Sequence, residues 1–179
     1  MTKRSIEYWV IPPEQDAECV ACMEEVLATY AEAYDPKHPV VCMDEQPIQL
    51  LRETRTPIPA TRGHARRVDY EYERAGTANV FMFTEPLAGW RHVMVTERRT
   101  AVDFAHQMQW LVDQAYPDAK VIRVVLDNLN IHKNEAAKQW LLRHPRVHFH
   151  YTPTHASWMN MIECFFSILT KQALTHSVH

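Results

Sequence analysis

Residues 40–45 read Val-Val-Cys-Met-Asp-Glu. Four apolar residues followed by two acids predict a buried strand with carboxylates at its C-terminal end. Residues 121–127, Val-Ile-Arg-Val-Val-Leu-Asp, follow the same pattern with one interruption at Arg123. In open α/β sheets the carboxyl ends of the strands are where ligands bind. If these two strands are neighbours, Asp44 and Asp127 come within a few ångströms. Two ionised carboxylates at that range repel, and a bound dication removes the repulsion.

Working outward, Pro12-Pro13 opens a helix expected over about 14–34, with Ala17, Val20, Leu27 and Tyr30 as its apolar stripe and Pro36 and Pro39 beyond its end. Residues 46–75, rich in Pro and Arg, read as irregular. Asn79 to Thr84 and Trp90 to Thr96 read as a hairpin turned around Pro86 and Gly89. Thr100 and Asp103 have capping-box spacing ahead of a helix that buries Phe104, Met108, Leu111 and Ala115 and stops at Pro117. A helix over about 134–144 ends at Pro145. Val147, Phe149 and Tyr151 then alternate with Arg146, His148 and His150, the pattern of a half-buried strand whose histidines face solvent. A last helix is expected to start at Ser157 as N-cap. The result is an α/β domain with a central mixed sheet flanked by helices.

The last helix supplies a third acid. Asn160, Glu163, Ser167 and Thr170 share one side at spacings of three and four, while Ile162, Phe165, Phe166, Leu169 and Ala173 form the apolar side. The helix can therefore pack on the sheet and turn Glu163 toward the acidic end. An oxygen-only ligand set of Asp44, Asp127 and Glu163 selects Mg²⁺ or Mn²⁺ over zinc, with room for two ions.

Composition narrows the function classes. A chain of 179 residues that is 46% hydrophobic suits one domain with a sizeable core. No run of 18 apolar residues is present, so no membrane-spanning helix is expected. Four scattered cysteines do not make a disulfide scaffold and suit a reducing cytoplasm. A net charge of −3 argues against gripping DNA by bulk charge alone. A local exception is the run Arg52, Arg55, Arg62, His64, Arg66 and Arg67, read either as a solvated loop or as a phosphate-contacting one, with Arg62, Arg66 and Arg67 as the DNA-binding candidates. Cys19 and Cys22 have zinc-like spacing but fall in a helix. Trp158 could stack on a base, although a core or staple contact is the simpler role.

The wording around the acids adds a resemblance. Residues 40–45, Val-Leu-Asp-Asn-Leu-Asn-Ile-His at 125–132 and Thr-Pro-Thr-His-Ala-Ser-Trp-Met-Asn-Met-Ile-Glu at 152–163 resemble the three catalytic blocks of mariner-related bacterial transposases, above all the insertion-sequence-630 family. Thirty-five residues separate Asp127 from Glu163, as in that family. The similarity extends to Trp9–Pro13 and Asp69–Gly76.

The resemblance implies a ribonuclease H-like fold and a DDE-type reaction. Water attacks the transposon end, and the freed 3′-hydroxyl attacks target DNA. Asp44, Asp127 and Glu163 match the catalytic, metal-binding acids, and Asn128, His132 and Asn160 match supporting polar positions. The resemblance also implies double-stranded DNA as partner, a homodimer on paired ends, and a bacterial cytoplasm with the protein at the nucleoid. Residues 1–36 read as a linker and helix leading into a catalytic domain at 37–179 that is C-terminally truncated relative to the family. Family members also carry an N-terminal helix-turn-helix, so a split frame or a fragment is expected. Two alternatives stay open: a nuclease acting on RNA in hybrids, and a non-catalytic remnant that binds DNA or a full-length transposase.

Overall fold

The structure is a computed structural model, and it describes residues 17–67, 71–154 and 156–174. The elements in chain order are α1 (Ala17–Tyr30), β1 (Val40–Glu53), β2 (Tyr72–Glu85), β3 (Trp90–Thr96), α2 (Ala101–Trp110), β4 (Ile122–Leu126), α3 (Asn130–Lys133), α4 (Glu135–Arg143), β5 (Val147–Tyr151) and α5 (Ile162–Leu169). Helix α2 runs on through a π turn, Leu111–Ala115, and α5 through another, Thr170–Leu174. The five strands form one sheet in the order β3-β2-β1-β4-β5. The first three pair antiparallel, and β4 and β5 join parallel to β1. The mixed sheet flanked by helices is the expected architecture.

Strand alternation sorts the core into two layers. Val41, Met43, Phe81, Phe83, Val124 and Leu126 face α2 and α4, against Phe104, Met108, Leu111 and Ala137. Cys42, Val80, Met82 and Val125 face the other way, against Val26 of α1 and Ile162 and Phe166 of α5. Fully burying side chains of this size stabilises by roughly 1.5–3 kcal/mol each, so the two layers hold α2 and α5 firmly to opposite faces. The capping box forms as expected. The Asp103 N–H donates to Thr100 Oγ1 at 3.2 Å and the Thr100 N–H donates to Asp103 Oδ2 at 2.8 Å.

Three expectations change. First, β1 does not end at its acids but continues to Glu53, paired with a β2 that starts at Tyr72. Residues 46–53 and 72–75, expected to be irregular, are strand. Beyond Cys42, β1 has a recorded partner on one side only, where Pro47 is tolerated. The extension buries little, so no hydrophobic alternation announced it. A register shift at Leu50/Leu51 lies opposite Gly76, whose φ of 116° few other residues adopt. Second, Ser157 makes no side-chain cap. It opens a short 3₁₀ turn, Ser157–Met159, and α5 begins later. Third, the expected helix over 14–34 is described from Ala17 and ends at Tyr30, with residues 14–16 outside the described residues.

Candidate active site

Register brings the two aspartates together. Val40, Val41 and Cys42 of β1 stand beside Arg123, Val124 and Val125 of β4. Asp44 and Asp127 each follow two residues beyond the last of these pairs, so they lie side by side where the parallel pairing ends. Since Cys42 and Val125 face α5, the two-residue period sends both carboxylates to that face. Glu45, one residue on, points to the α2 face. Asp44 therefore lies within a long strand rather than at its end, yet still at the end of its pairing with β4.

Glu163 is in the first turn of α5, and two anchors set that helix. Asn160, fully buried, donates its side-chain N–H to the Met43 carbonyl at 2.9 Å, and its Oδ1 accepts from the Ile162 N–H at 3.4 Å. Asn160 thus braces the turn ahead of α5, whose N-cap residue, Met161, makes no side-chain cap. From α1, the Tyr30 hydroxyl donates to the Met159 carbonyl at 3.0 Å and accepts from the Met161 N–H at 3.3 Å. Burial, followed by the neighbouring Cys42 thiol, pushes the Tyr30 hydroxyl far above its usual range, so it stays protonated and able to donate.

The electrostatics report the convergence. Burial first, and then the charges of Asp127, Glu45 and Glu163, raise Asp44 to about 7, against a lowering hydrogen bond from the Glu45 N–H. Glu163 is near enough to act on Asp44. Among the described residues, however, no three His, Cys, Asp or Glu side chains are closed around one point as they are about a bound ion.

Each aspartate has one oxygen engaged. Asp44 Oδ1 accepts from the Glu45 N–H at 2.7 Å. Asp127 Oδ1 accepts from the Leu129 N–H at 3.1 Å and from His132 Nδ1 at 3.0 Å. No hydrogen bond to either Oδ2 is recorded among the described residues, leaving one oxygen of each for a ligand.

The supporting positions divide. His132 is buried, and its Nε2 lies 3.0 Å from Glu45 Oε1. Burial alone would lower His132, but the hydrogen bonds to Asp127 and Glu45 outweigh it and raise it to about 9. Burial raises Asp127, and the hydrogen bonds from His132 and Leu129 with the charge of Arg99 reverse that to a net lowering. Asn128 donates to the Thr152 carbonyl at 2.7 Å, tying the segment after β4 to the segment after β5. Glu45 was missed by sequence reasoning. Its signal was available in the strand parity, which places it on the face opposite Asp44, with Val41 and Met43.

Other candidates lie elsewhere. Arg62, Arg66 and Arg67 are exposed on the far part of the β1–β2 hairpin, closed by bridges Ile58–Arg67 and Thr61–His64. Arg66 lies 3.4 Å from Glu53. Glu53 is nine residues past Asp44, about 30 Å along an extended strand, so these arginines are outside the acid cluster. Trp158 is 68% exposed rather than a core contact. It lines a cavity of about 350 Å³ with Leu27, Tyr34, Leu87 and Met159, to which none of the three acids contributes. His150 does not face solvent as expected but meets Glu25 of α1 at 2.8 Å. His155 lies outside the described residues.

This five-stranded mixed sheet, with helices on both faces, is the architecture of the ribonuclease H-like class. The chain belongs to the DDE superfamily endonuclease family, whose sequence model matches residues 39–179. A curated relative, the insertion element IS630 uncharacterized 39 kDa protein of Shigella sonnei, is 33% identical over 54 residues, 30% of this chain and 16% of the relative. Among solved structures, the Mos1 mariner paired end complex with Mn matches at TM-score 0.62 and 13% identity, covering 98% of this chain and 54% of that one. The catalytic domain of Mos1 mariner transposase matches at TM-score 0.59 and 12% identity, covering 96% and 78%. The chain thus spans about half the length of the Mos1 chain in the paired-end complex, and far less of the curated relative.

Proposed function

We propose that this domain is a transposase catalytic domain that cuts DNA at transposon ends and joins the freed 3′-hydroxyl to target DNA, using divalent ions held by Asp44, Asp127 and Glu163. The carrying observation is the β1–β4 register, which sets the buried Asp44 beside Asp127 where the parallel pairing ends, with Glu163 near enough to help raise Asp44. Such a cluster is costly to ionise without a cation. The donor set fits Mg²⁺ or Mn²⁺, because the three acids offer oxygen only and the Oδ2 atoms of both aspartates are left to a ligand. Mn is present in the Mos1 paired-end complex and Mg in a Mos1 catalytic-domain structure that matches at TM-score 0.58.

Bound ions supply activation of the attacking oxygen and stabilisation of the leaving oxygen of a phosphodiester. The protein's own contribution is placement. The β1–β4 register aligns the two aspartates, Asn160 and Tyr30 fix the helix that carries Glu163, and His132 orients Asp127. Arg62, Arg66 and Arg67 are suited to phosphate contacts beyond the cleavage site. We take 37–179 as the catalytic unit, double-stranded DNA as substrate, a homodimer on paired ends as the working assembly, and the cytoplasm as its place of action. No helix among the described residues is long and apolar enough to cross a membrane.

The direct test is nicking of supercoiled plasmid by the 179-residue chain with Mn²⁺ or Mg²⁺, beside D127N. Metal-dependent nicking that D127N abolishes while staying folded supports the reading. A folded parent that binds DNA but never cuts with either metal would leave the remnant reading in its place.

A further inference from the structure

Glu45 is a buried acid on the sheet face of Val41 and Met43, the face covered by Phe104 and Met108 of α2. Its side chain and that of His132 are both 0% exposed, and they meet at 3.0 Å. The other ring nitrogen of His132 faces Asp127, 3.0 Å from Oδ1 and 3.2 Å from the carbonyl. With one ring nitrogen on Glu45 and the other on Asp127, the ring is held in one orientation between the two acids. The Phe104 ring packs at 4.6 Å from it, and the Tyr151 hydroxyl donates to the His132 backbone carbonyl at 2.8 Å, fixing the segment that carries the ring. Apolar residues in place of a buried ion pair are often as stable or more so, so fold stability alone gives little reason for an acid at position 45.

We propose that Glu45 is a positioning residue for Asp127, acting through His132. Glu45 holds the His132 ring, and His132, with the Leu129 N–H, holds Asp127 Oδ1. Asp127 Oδ2 is thereby presented toward Asp44 and Glu163. The proposal rests on the metal-site reading above and adds to it an acid on the opposite face of the sheet from the other three. An outer partner of this kind tunes metal affinity without touching the ion.

The test is Mn²⁺ binding to the full chain, followed by electron paramagnetic resonance, for the parent, E45A, E45Q, H132A, E45A/H132A and D127N. Urea denaturation of each metal-free protein runs alongside. E45A is expected to weaken Mn²⁺ by about tenfold or more. E45Q, which keeps an acceptor oxygen, should recover part of the loss and supplies the measurement if E45A does not fold. In the H132A background, removing Glu45 should change the affinity by less than about twofold. A purely structural Glu45 would lower stability and alter Mn²⁺ binding to the same degree in both backgrounds, which overturns the proposal. Parent-like binding by E45Q and E45A while D127N loses the ion overturns this inference alone. Mn²⁺ binding that survives D127N overturns the metal-site reading, and this inference with it.

Discussion

Asn160 reaches from the turn before α5 to the Met43 carbonyl at 2.9 Å, so the helix bearing Glu163 is tied to the residue that precedes Asp44. One buried side chain thus sets the separation of two acids that are far apart in the chain. Replacing Asn160 with Ala leaves a buried carbonyl without its donor, at a cost of about 1–3 kcal/mol. Urea denaturation should show that loss, and Mn²⁺-dependent nicking should fall further than stability does. Unchanged stability and nicking would contradict the link.

The three acids should be individually indispensable to metal-dependent cleavage. D44N, D127N and E163Q are each expected to reduce nicking by more than about 100-fold. Circular dichroism should report an intact fold in each case. Near-parent activity in E163Q would remove Glu163 from the site.

Asp44 sets a pH dependence. Its folded pKa of about 7 lies above the ordinary carboxylate value. The stability it contributes is therefore fully present below about pH 4 and is lost as pH rises through 7. A bound cation must displace that proton below pH 7, so Mn²⁺ affinity should climb between pH 5 and 7 and then level off. Calorimetric titration across that range checks it, and a flat profile would contradict it.

Arg146 should be a stability residue with no direct part in cleavage. Its guanidinium donates to the carbonyls of Val112, Tyr116, Pro117 and Ala119 at 2.7–3.0 Å, closing the end of the α2 π turn onto the start of β5. A lysine cannot reproduce that fork. R146K is expected to lose about 2–4 kcal/mol in urea denaturation, with Mn²⁺ affinity of the folded fraction unchanged.

The hairpin arginines should behave oppositely. R62A/R66A/R67A touches exposed positions only, so stability should stay within about 0.5 kcal/mol. DNA affinity should drop, and the slope of log affinity against log salt should shrink by up to about three. An unchanged slope would make the segment a solvated arm with no phosphate contacts.

Much of this site was legible before any fold was known. An apolar run ending in acid marks a buried strand with a carboxylate at its tip, and residues 40–45 and 121–127 both carry that signal. The helical spacing of Ile162, Phe166 and Leu169 marked the side of α5 that packs on the sheet, although Asn160, expected on the same helix as Glu163, precedes it and is buried. The β1–β2 extension was not legible, because a two-stranded arm with solvent on both faces needs no alternation, and Pro47 argued against a strand. Glu45 was overlooked because next to Asp44 it looks like a second acid at a strand end, although strand parity sends it to the opposite face.

The sequence by itself determined which segments are buried and where acids interrupt them, because burial is written in local apolar patterns that each segment carries alone. Only the tertiary structure decided that β1 lies beside β4 in a register aligning Asp44 with Asp127. It also decided that Asn160 and Tyr30 tie the turn before α5 to β1 and α1, and that His132 joins Glu45 to Asp127. Those relationships join residues up to 131 positions apart. The free energy that selects them comes from packing and hydrogen bonding between elements, which no local pattern encodes.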